Sequence, residues 1–188
     1  MKKMIVLVGL SALLVVLMSS FASATVLQTL KPYIDSETVM TPTGCSSSQH
    51  YNCVDDSRSP DGDTTKLTFT ATDNNQSELF ALTNTLFSSS EQIDAIAVYF
   101  YTKQVSSTVN SFEVHFKDQT TGDLKEYEYT IVPGTDWAYR VAVLSESIFT
   151  GNPWTKTELD NLIVCADFDD VDNDGAVISQ IYVNVIQY

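Results

Sequence analysis

The chain has 188 residues, 44% of them hydrophobic and 11% aromatic, and sets 10 Lys and Arg against 24 Asp and Glu for a formal net charge of −14. An acidic balance of that size repels nucleic acid and anionic membrane surfaces, so neither is expected as a partner. The apolar and aromatic content is too high for a disordered chain.

The first element is a targeting segment. Lys2 and Lys3 precede an apolar run from Met4 to Met18, and Ala22-Ser23-Ala24 supplies the small residues of a cleavage site. These features predict a secretory signal peptide over residues 1–24. The run is shorter than the roughly 20 apolar residues that span a bilayer comfortably. No lipobox cysteine and no second apolar span follows. Residues 25–188 are therefore expected as one soluble domain outside the cell, without membrane insertion. Loss of Lys2 and Lys3 leaves 8 basic against 24 acidic residues, a net charge of −16.

Val26 to Leu30 reads as the first strand. The stretch from Thr25 to Ile34 could add to the open sheet edge of a neighbouring subunit, with Val26, Leu27 and Leu30 as the assembly contacts. A polar loop follows that carries Cys45, His50 and Cys53. Export permits oxidation, and a Cys45–Cys53 disulfide is expected. Zinc on the same three residues would lack a second Cys/His pair. Asp55, Asp56, Asp61, Gly62 and Asp63 then surround Pro60. Such a loop suits calcium at a sandwich rim and equally suits a plain surface turn.

Strands are expected at Thr65 to Thr72, Leu79 to Leu82 and Ile93 to Thr102. Asn75-Gln76-Ser77 between the first two is a glycosylation sequon. Phe112, Val114 and Phe116 alternate with Glu113, His115 and Lys117, which predicts a half-buried strand with His115 on its surface face. Lys125 to Val132 is the expected hairpin partner, with Tyr127, Tyr129 and Ile131 on one face, across a turn from Asp118 to Asp123. Asp136 to Leu144 alternates Trp137, Tyr139, Val141 and Val143.

Thr155-Lys156-Thr157-Glu158 matches a capping box, and Trp154 and Leu159 are placed for a hydrophobic staple, so one short helix should run to about Asn161. Leu162 to Phe168 is the next strand. Its Cys165 reads as a buried thiol, although an odd cysteine count also admits an intermolecular bridge. Asp167 and Asp169 lead into Asp170-Val171-Asp172-Asn173-Asp174-Gly175, which places Asp170, Asp172 and Asp174 as in a calcium loop. Ile181 stands where an EF-hand needs its bidentate Glu, so a simple calcium hairpin or a solvated turn are the alternatives. In the last strand, Val177 to Tyr188, Val177, Ile181, Val183 and Val185 fall on one face, and Ile178, Tyr182 and Ile186 on the other. A strand apolar on both faces belongs inside a layered structure or under a partner.

The pattern predicts an all-β protein, an antiparallel two-sheet sandwich of jelly-roll type with one short helix. Catalysis finds few candidates. The histidines are His50 and His115, and the sequence holds no G-x-S-x-G, H-E-x-x-H, P-loop or dinucleotide motif. Tyr99, Tyr101, Tyr127, Tyr129 and Tyr139 could line one sheet face and stack on sugar rings, or pair across strands. Trp137 and Trp154 read as core.

Two stretches carry a resemblance: His50-Tyr51-Asn52-Cys53-Val54-Asp55-Asp56 with Pro60-Asp61-Gly62-Asp63-Thr64-Thr65, and Trp154 to Leu162 with Gln180-Ile181-Tyr182-Val183-Asn184-Val185. They resemble uncharacterised β-sandwich proteins of microbial surfaces and phage virions over most of Leu30 to Tyr188. The resemblance implies a jelly-roll-like domain without established catalytic residues. Two functions follow as expectations. One is a secreted, non-enzymatic subunit of an extracellular filament, sheath or coat, stabilised by calcium and self-assembling through its first strand. The other is a calcium-dependent carbohydrate-binding or adhesion module whose partner is a surface glycan.

Overall fold

The computed structural model describes residues 24–38, 40–55, 60–69, 77–104, 111–167 and 176–188, without the side chains of residues 37, 41, 77 and 126–129. The expected signal peptide, Asp56, Asn75 of the sequon, and Asp169, Asp170, Asp172 and Asp174 lie outside them. Among the described residues, no helix is long and apolar enough to cross a membrane.

The strands run in chain order as β1 (Thr25–Leu30), β2 (Pro32–Glu37), β3 (Thr41–Thr43), β4 (Lys66–Thr68), β5 (Ser77–Leu82), β6 (Ala95–Gln104), β7 (Phe112–Asp118), β8 (Leu124–Ile131), β9 (Ala138–Leu144), β10 (Leu162–Asp167) and β11 (Ala176–Gln187). A 3-10 turn covers His50–Cys53, and a single α-helical turn, α1, covers Lys156–Asp160. Two antiparallel sheets face each other, as the period-two pattern predicts. The first has the order β3-β4-β11-β6-β9 with β1 also on β11, and the second has the order β2-β5-β10-β7-β8. β1 and β4 share one edge of β11: Leu30 lies opposite Val183, and Thr68 opposite Val177. In the gap between them the Ile181 N–H donates to the Val54 carbonyl at 2.9 Å.

The core is built from alternate residues of both sheets. Ile96, Val98 and Phe100 of β6 and Ile181, Val183 and Val185 of β11 meet Phe80, Phe112, Val114, Phe116 and Val164 of the second sheet. Each large side chain so buried contributes about 1.5–3 kcal/mol. Leu30 joins this core with no exposed surface. β1 therefore occupies a slot in its own chain, and Val26 and Leu27 stand half in solvent beside it.

In β11 the expected faces change partway along. The pairing shifts between Ile178 and Gln180. This bulge at Ser179 turns Ile178 to the core side with Ile181, Val183 and Val185, and turns Val177 away from it. One extra residue reverses every side chain before it.

The capping box forms as the sequence predicts. Thr155 Oγ1 accepts the Glu158 N–H, and the Glu158 carboxylate accepts the Thr155 N–H at 2.8 Å. Trp154 and Leu159 are both buried in the core. The Glu158 carboxyl is held below its ordinary value: burial pushes it up, but donors on Ser147, Thr155 and Thr150 outweigh that cost.

Cys45 and Cys53 form the expected disulfide, with Cα atoms 5.5 Å apart. It closes the loop that carries His50 into the interior, where Nδ1 lies 2.8 Å from the fully buried Glu78 carboxylate. Cys165 is buried and takes no part in the disulfide. It sits with Leu79, Ala81 and Ile163 in a small cluster separate from the main core. His115 departs from expectation. It occupies the polar-facing side of β7 but is only 5% exposed. Glu113 lies 3.1 Å from Nε2 and Asp167 lies 3.2 Å from Nδ1.

Candidate aromatic binding face

The face of the first sheet turned away from the core carries aromatic side chains on adjacent strands. Tyr99 and Tyr101 of β6 alternate with the core residues Val98, Phe100 and Thr102. Tyr182 lies directly opposite Tyr99 from β11, and Tyr139 directly opposite Tyr101 from β9. Trp137 joins them from the segment just before β9. The rings are in mutual contact. Tyr99 and Tyr182 stack with centroids 4.6 Å apart and planes 10° from parallel. Tyr101 and Trp137 stack at 5.2 Å and 11°. Tyr139 stands between the pairs, tilted against Tyr101 at 4.8 Å and edge-on to Tyr182 at 6.0 Å.

Cross-strand stacking of this kind stabilises the sheet and also holds each ring in one position. Tyr139 is 41% exposed and the other four rings are partly exposed. Strand spacing makes the patch about 10 Å wide across the strands. Its polar groups are few and fixed. The Tyr139 hydroxyl donates to Gln180 Oε1 at 2.6 Å. Farther along β11, Asn184 Oδ1 accepts the Thr29 hydroxyl at 2.7 Å. The Tyr182 hydroxyl is pushed up to about 12, first by burial and then by Tyr139 and Tyr99.

The loop before β4 braces one end of the patch. Gly62 has a φ of +63°, and a Cβ there would sit 3.3 Å from Trp137 Nε1, so any side chain would be strained and crowded against the indole. Asp63 follows. Its carboxylate lies 2.8 Å from Lys66 Nζ and 2.9 Å from Lys103 Nζ, and accepts from Trp137 Nε1 at 3.4 Å. Lys103 Nζ also stands 4.9 Å over the indole ring. Lys66 and Lys103 hold the Asp63 carboxyl well below the usual carboxylate range.

Of the residues proposed from sequence for calcium, Asp61 spends one oxygen on the Thr65 N–H at 2.9 Å and on its hydroxyl at 2.8 Å. Asp63 is engaged as above, and the Asp55 carbonyl accepts from Lys31 at 3.1 Å. Asp167 meets His115 on the other sheet. Among the described residues, no three His, Cys, Asp or Glu are placed together to hold a metal ion.

The expected tyrosine row is divided. Tyr99, Tyr101 and Tyr139 share the face, while Tyr127 and Tyr129 belong to β8 of the second sheet. Trp154 is core, and its Nε1 donates to the Leu144 carbonyl at 3.2 Å. Trp137, expected in the core, is on the outer face instead. The alternation of Trp137 with Tyr139, already visible in the sequence, was the signal for it. Tyr182 was visible too, as the aromatic on the second face of the last strand.

No protein-family model matches the sequence, and no curated protein matches it. Solved structures similar to the chain include the xylan-binding module CBM15, at 7% identity and a TM-score of 0.45 over 87% of this chain and 96% of that one. The CBM22-1 xylan-binding domain of Paenibacillus barcinonensis Xyn10C is similar at 9% identity and a TM-score of 0.44, over 90% of this chain and 99% of that one. The family 11 carbohydrate-binding module of the Clostridium thermocellum cellulosomal cellulase Lic26A-Cel5E is similar at 12% identity and a TM-score of 0.45, over 88% and 96% of the two chains.

Proposed function

We propose that the protein is a non-enzymatic extracellular glycan-binding module, and that the outer face of its first sheet takes a polysaccharide chain. The observation that carries this reading is the cluster of Tyr99, Tyr101, Trp137, Tyr139 and Tyr182 on a solvent-facing sheet surface, held rigid by mutual stacking. A sugar ring offers an apolar C–H face and a rim of hydroxyls. It matches a surface of aromatic carbon edged by amide, hydroxyl and indole groups. Rings fixed before binding lose little rotamer freedom when a ligand arrives. The patch has room for about two pyranose rings laid across the strands.

Tyr139 is the most exposed ring and Trp137 the largest. Affinity electrophoresis through gels containing soluble polysaccharides should show retardation of the wild-type protein by at least one of them. Tyr139→Ala and Trp137→Ala should each weaken that binding by about tenfold or more, as for truncated aromatic anchors. Circular dichroism on the same samples separates lost contacts from lost folding. Folded variants that bind as tightly as the wild type would move the site elsewhere. A wild-type protein retarded by none of the polysaccharides would end the reading.

The assembly reading draws less support from the geometry, because β1 completes the sheet of its own chain. Its Gln28 amide further ties it to the loop after β5, donating to the Asn84 carbonyl at 3.2 Å and accepting the Leu86 N–H at 2.7 Å.

A further inference from the structure

We infer that Asp63 sets the charge selectivity of the aromatic face: it engages Lys66 and Lys103, the two lysines that flank the rings among the described residues, and so favours uncharged over acidic polysaccharides. The inference rests on the glycan-binding reading and adds the class of glycan to it.

Lys103 belongs to β6, in line with Tyr99 and Tyr101, and its ammonium stands over Trp137. Lys66 opens β4, across β11 from β6. Left alone, two ammoniums beside an aromatic floor would suit a sugar polymer carrying carboxylates or sulfates, each of which prefers charge-assisted hydrogen bonds. They are not left alone. One carboxylate meets both, with Lys66 Nζ at 2.8 Å from Oδ1 and Lys103 Nζ at 2.9 Å from each oxygen.

An exposed pair of this kind contributes little to folding, since solvent screens it. Its effect on recognition is larger. An incoming anionic group must compete with Asp63 for the two ammoniums and lie close to that carboxylate. It must also approach a chain whose formal charge is −14. Asp61 in the same loop and Asp136 next to Trp137 add further negative charge. A neutral sugar meets none of these costs. It can still use the aromatic rings and the exposed Tyr139. Asp63 is thus a selectivity-determining residue, while the rings supply the contact.

The experiment pairs polysaccharides that share a backbone and differ in charge: hydroxyethylcellulose with carboxymethylcellulose, arabinoxylan with glucuronoxylan, and highly methyl-esterified polygalacturonate with unesterified polygalacturonate. Affinity electrophoresis of the whole protein against each pair, at low and at about 0.5 M salt, gives the wild-type preference. Binding confined to neutral members, or at least about tenfold tighter for them, is expected. Equal or tighter binding to an acidic member overturns the inference and leaves the glycan reading standing. Binding to no member overturns both. Asp63→Asn keeps the size of the side chain and frees two ammoniums. It should gain about threefold or more in affinity for the acidic member of a bound pair at low salt, and the gain should vanish at high salt. A folded Asp63→Asn protein with unchanged preference removes Asp63 from the role, whatever the wild type prefers.

Discussion

His115 shows how one side chain ties stability to pH. A regular alternation of Phe112, Val114 and Phe116 with polar partners puts it on the outer side of β7, where a free imidazole would ordinarily be solvated. Here it stands between Glu113 on its own strand and Asp167 on β10. The Asp167 carboxylate lies 3.2 Å from Nδ1, within ion-pair distance. Asp167 raises the imidazole above its ordinary value, burial opposes this, and Glu113 reinforces it. The proton is thus held more tightly in the folded chain than in the unfolded one. The stabilisation is complete below the unfolded value of 6.5 and is lost as pH rises through the higher folded value. Thermal unfolding from about pH 6 to pH 9 should therefore show the midpoint falling with pH, and His115→Asn should flatten that fall. An identical slope in the variant would assign the pH dependence to other groups. Glu78 presents the opposite arrangement, a carboxylate with no exposed surface, met by His50 and by the Met40 N–H at 2.9 Å. Neither pairing was legible from sequence, because each joins residues from separate elements whose register only the fold defines.

At the scale of elements, legibility followed periodicity. β7, β8 and β9 carry period-two runs, β5, β6 and β10 carry continuous apolar runs, and the positions of all six were readable to within a few residues. α1 was readable from Thr155 and Glu158 because a capping box is a local device. β2 was not delimited: Pro32-Tyr33-Ile34-Asp35-Ser36-Glu37 lacks alternation, and the strand exists because it pairs with β5. β3, Thr41-Pro42-Thr43, is too short to carry a pattern. The bulge at Ser179 misled the assignment of faces in β11, since nothing in a string of apolar residues marks where the pleat slips. The aromatic face was half legible. Tyr99, Tyr101 and Tyr139 could be named, but which sheet Tyr127 and Tyr129 join depends on strand order. β1 was readable as a strand, and its partner was the open question. With Leu30 buried against its own core, Leu30→Ala should cost about 2–5 kcal/mol in urea unfolding. The wild-type midpoint should also be independent of protein concentration, because pairing within one chain is unimolecular. A midpoint that climbs with concentration would mean that β1 is exchanged between chains, and would restore assembly as the leading function.

For the whole molecule the dominant physical fact is charge. With 24 acidic residues against 10 basic ones, the folded chain repels itself, and compaction carries an electrostatic cost that salt reduces. Two effects of cations need separating. Screening acts on the entire surface and depends on ionic strength alone. Chelation acts at one place and depends on the ion. We propose calcium binding at the sequence Asp170-Val171-Asp172-Asn173-Asp174-Gly175, where closely spaced carboxylates supply hard oxygen ligands. Melting in sodium chloride and in calcium chloride at equal ionic strength distinguishes the two effects. Both salts should raise the midpoint over that in low-salt buffer with chelator, and calcium should raise it further, by an amount that grows with the logarithm of its concentration once the site is filled. The Asp170→Ala, Asp172→Ala, Asp174→Ala triple variant should keep the sodium response and lose the extra calcium response. Equal midpoints in the two salts would leave screening as the whole effect. An extra calcium response that survives the triple variant would direct attention to the loop of Asp55, Asp61 and Asp63. There, calcium would have to compete with Lys66 and Lys103 for the same carboxylate, so occupancy would also change the charge beside the aromatic face.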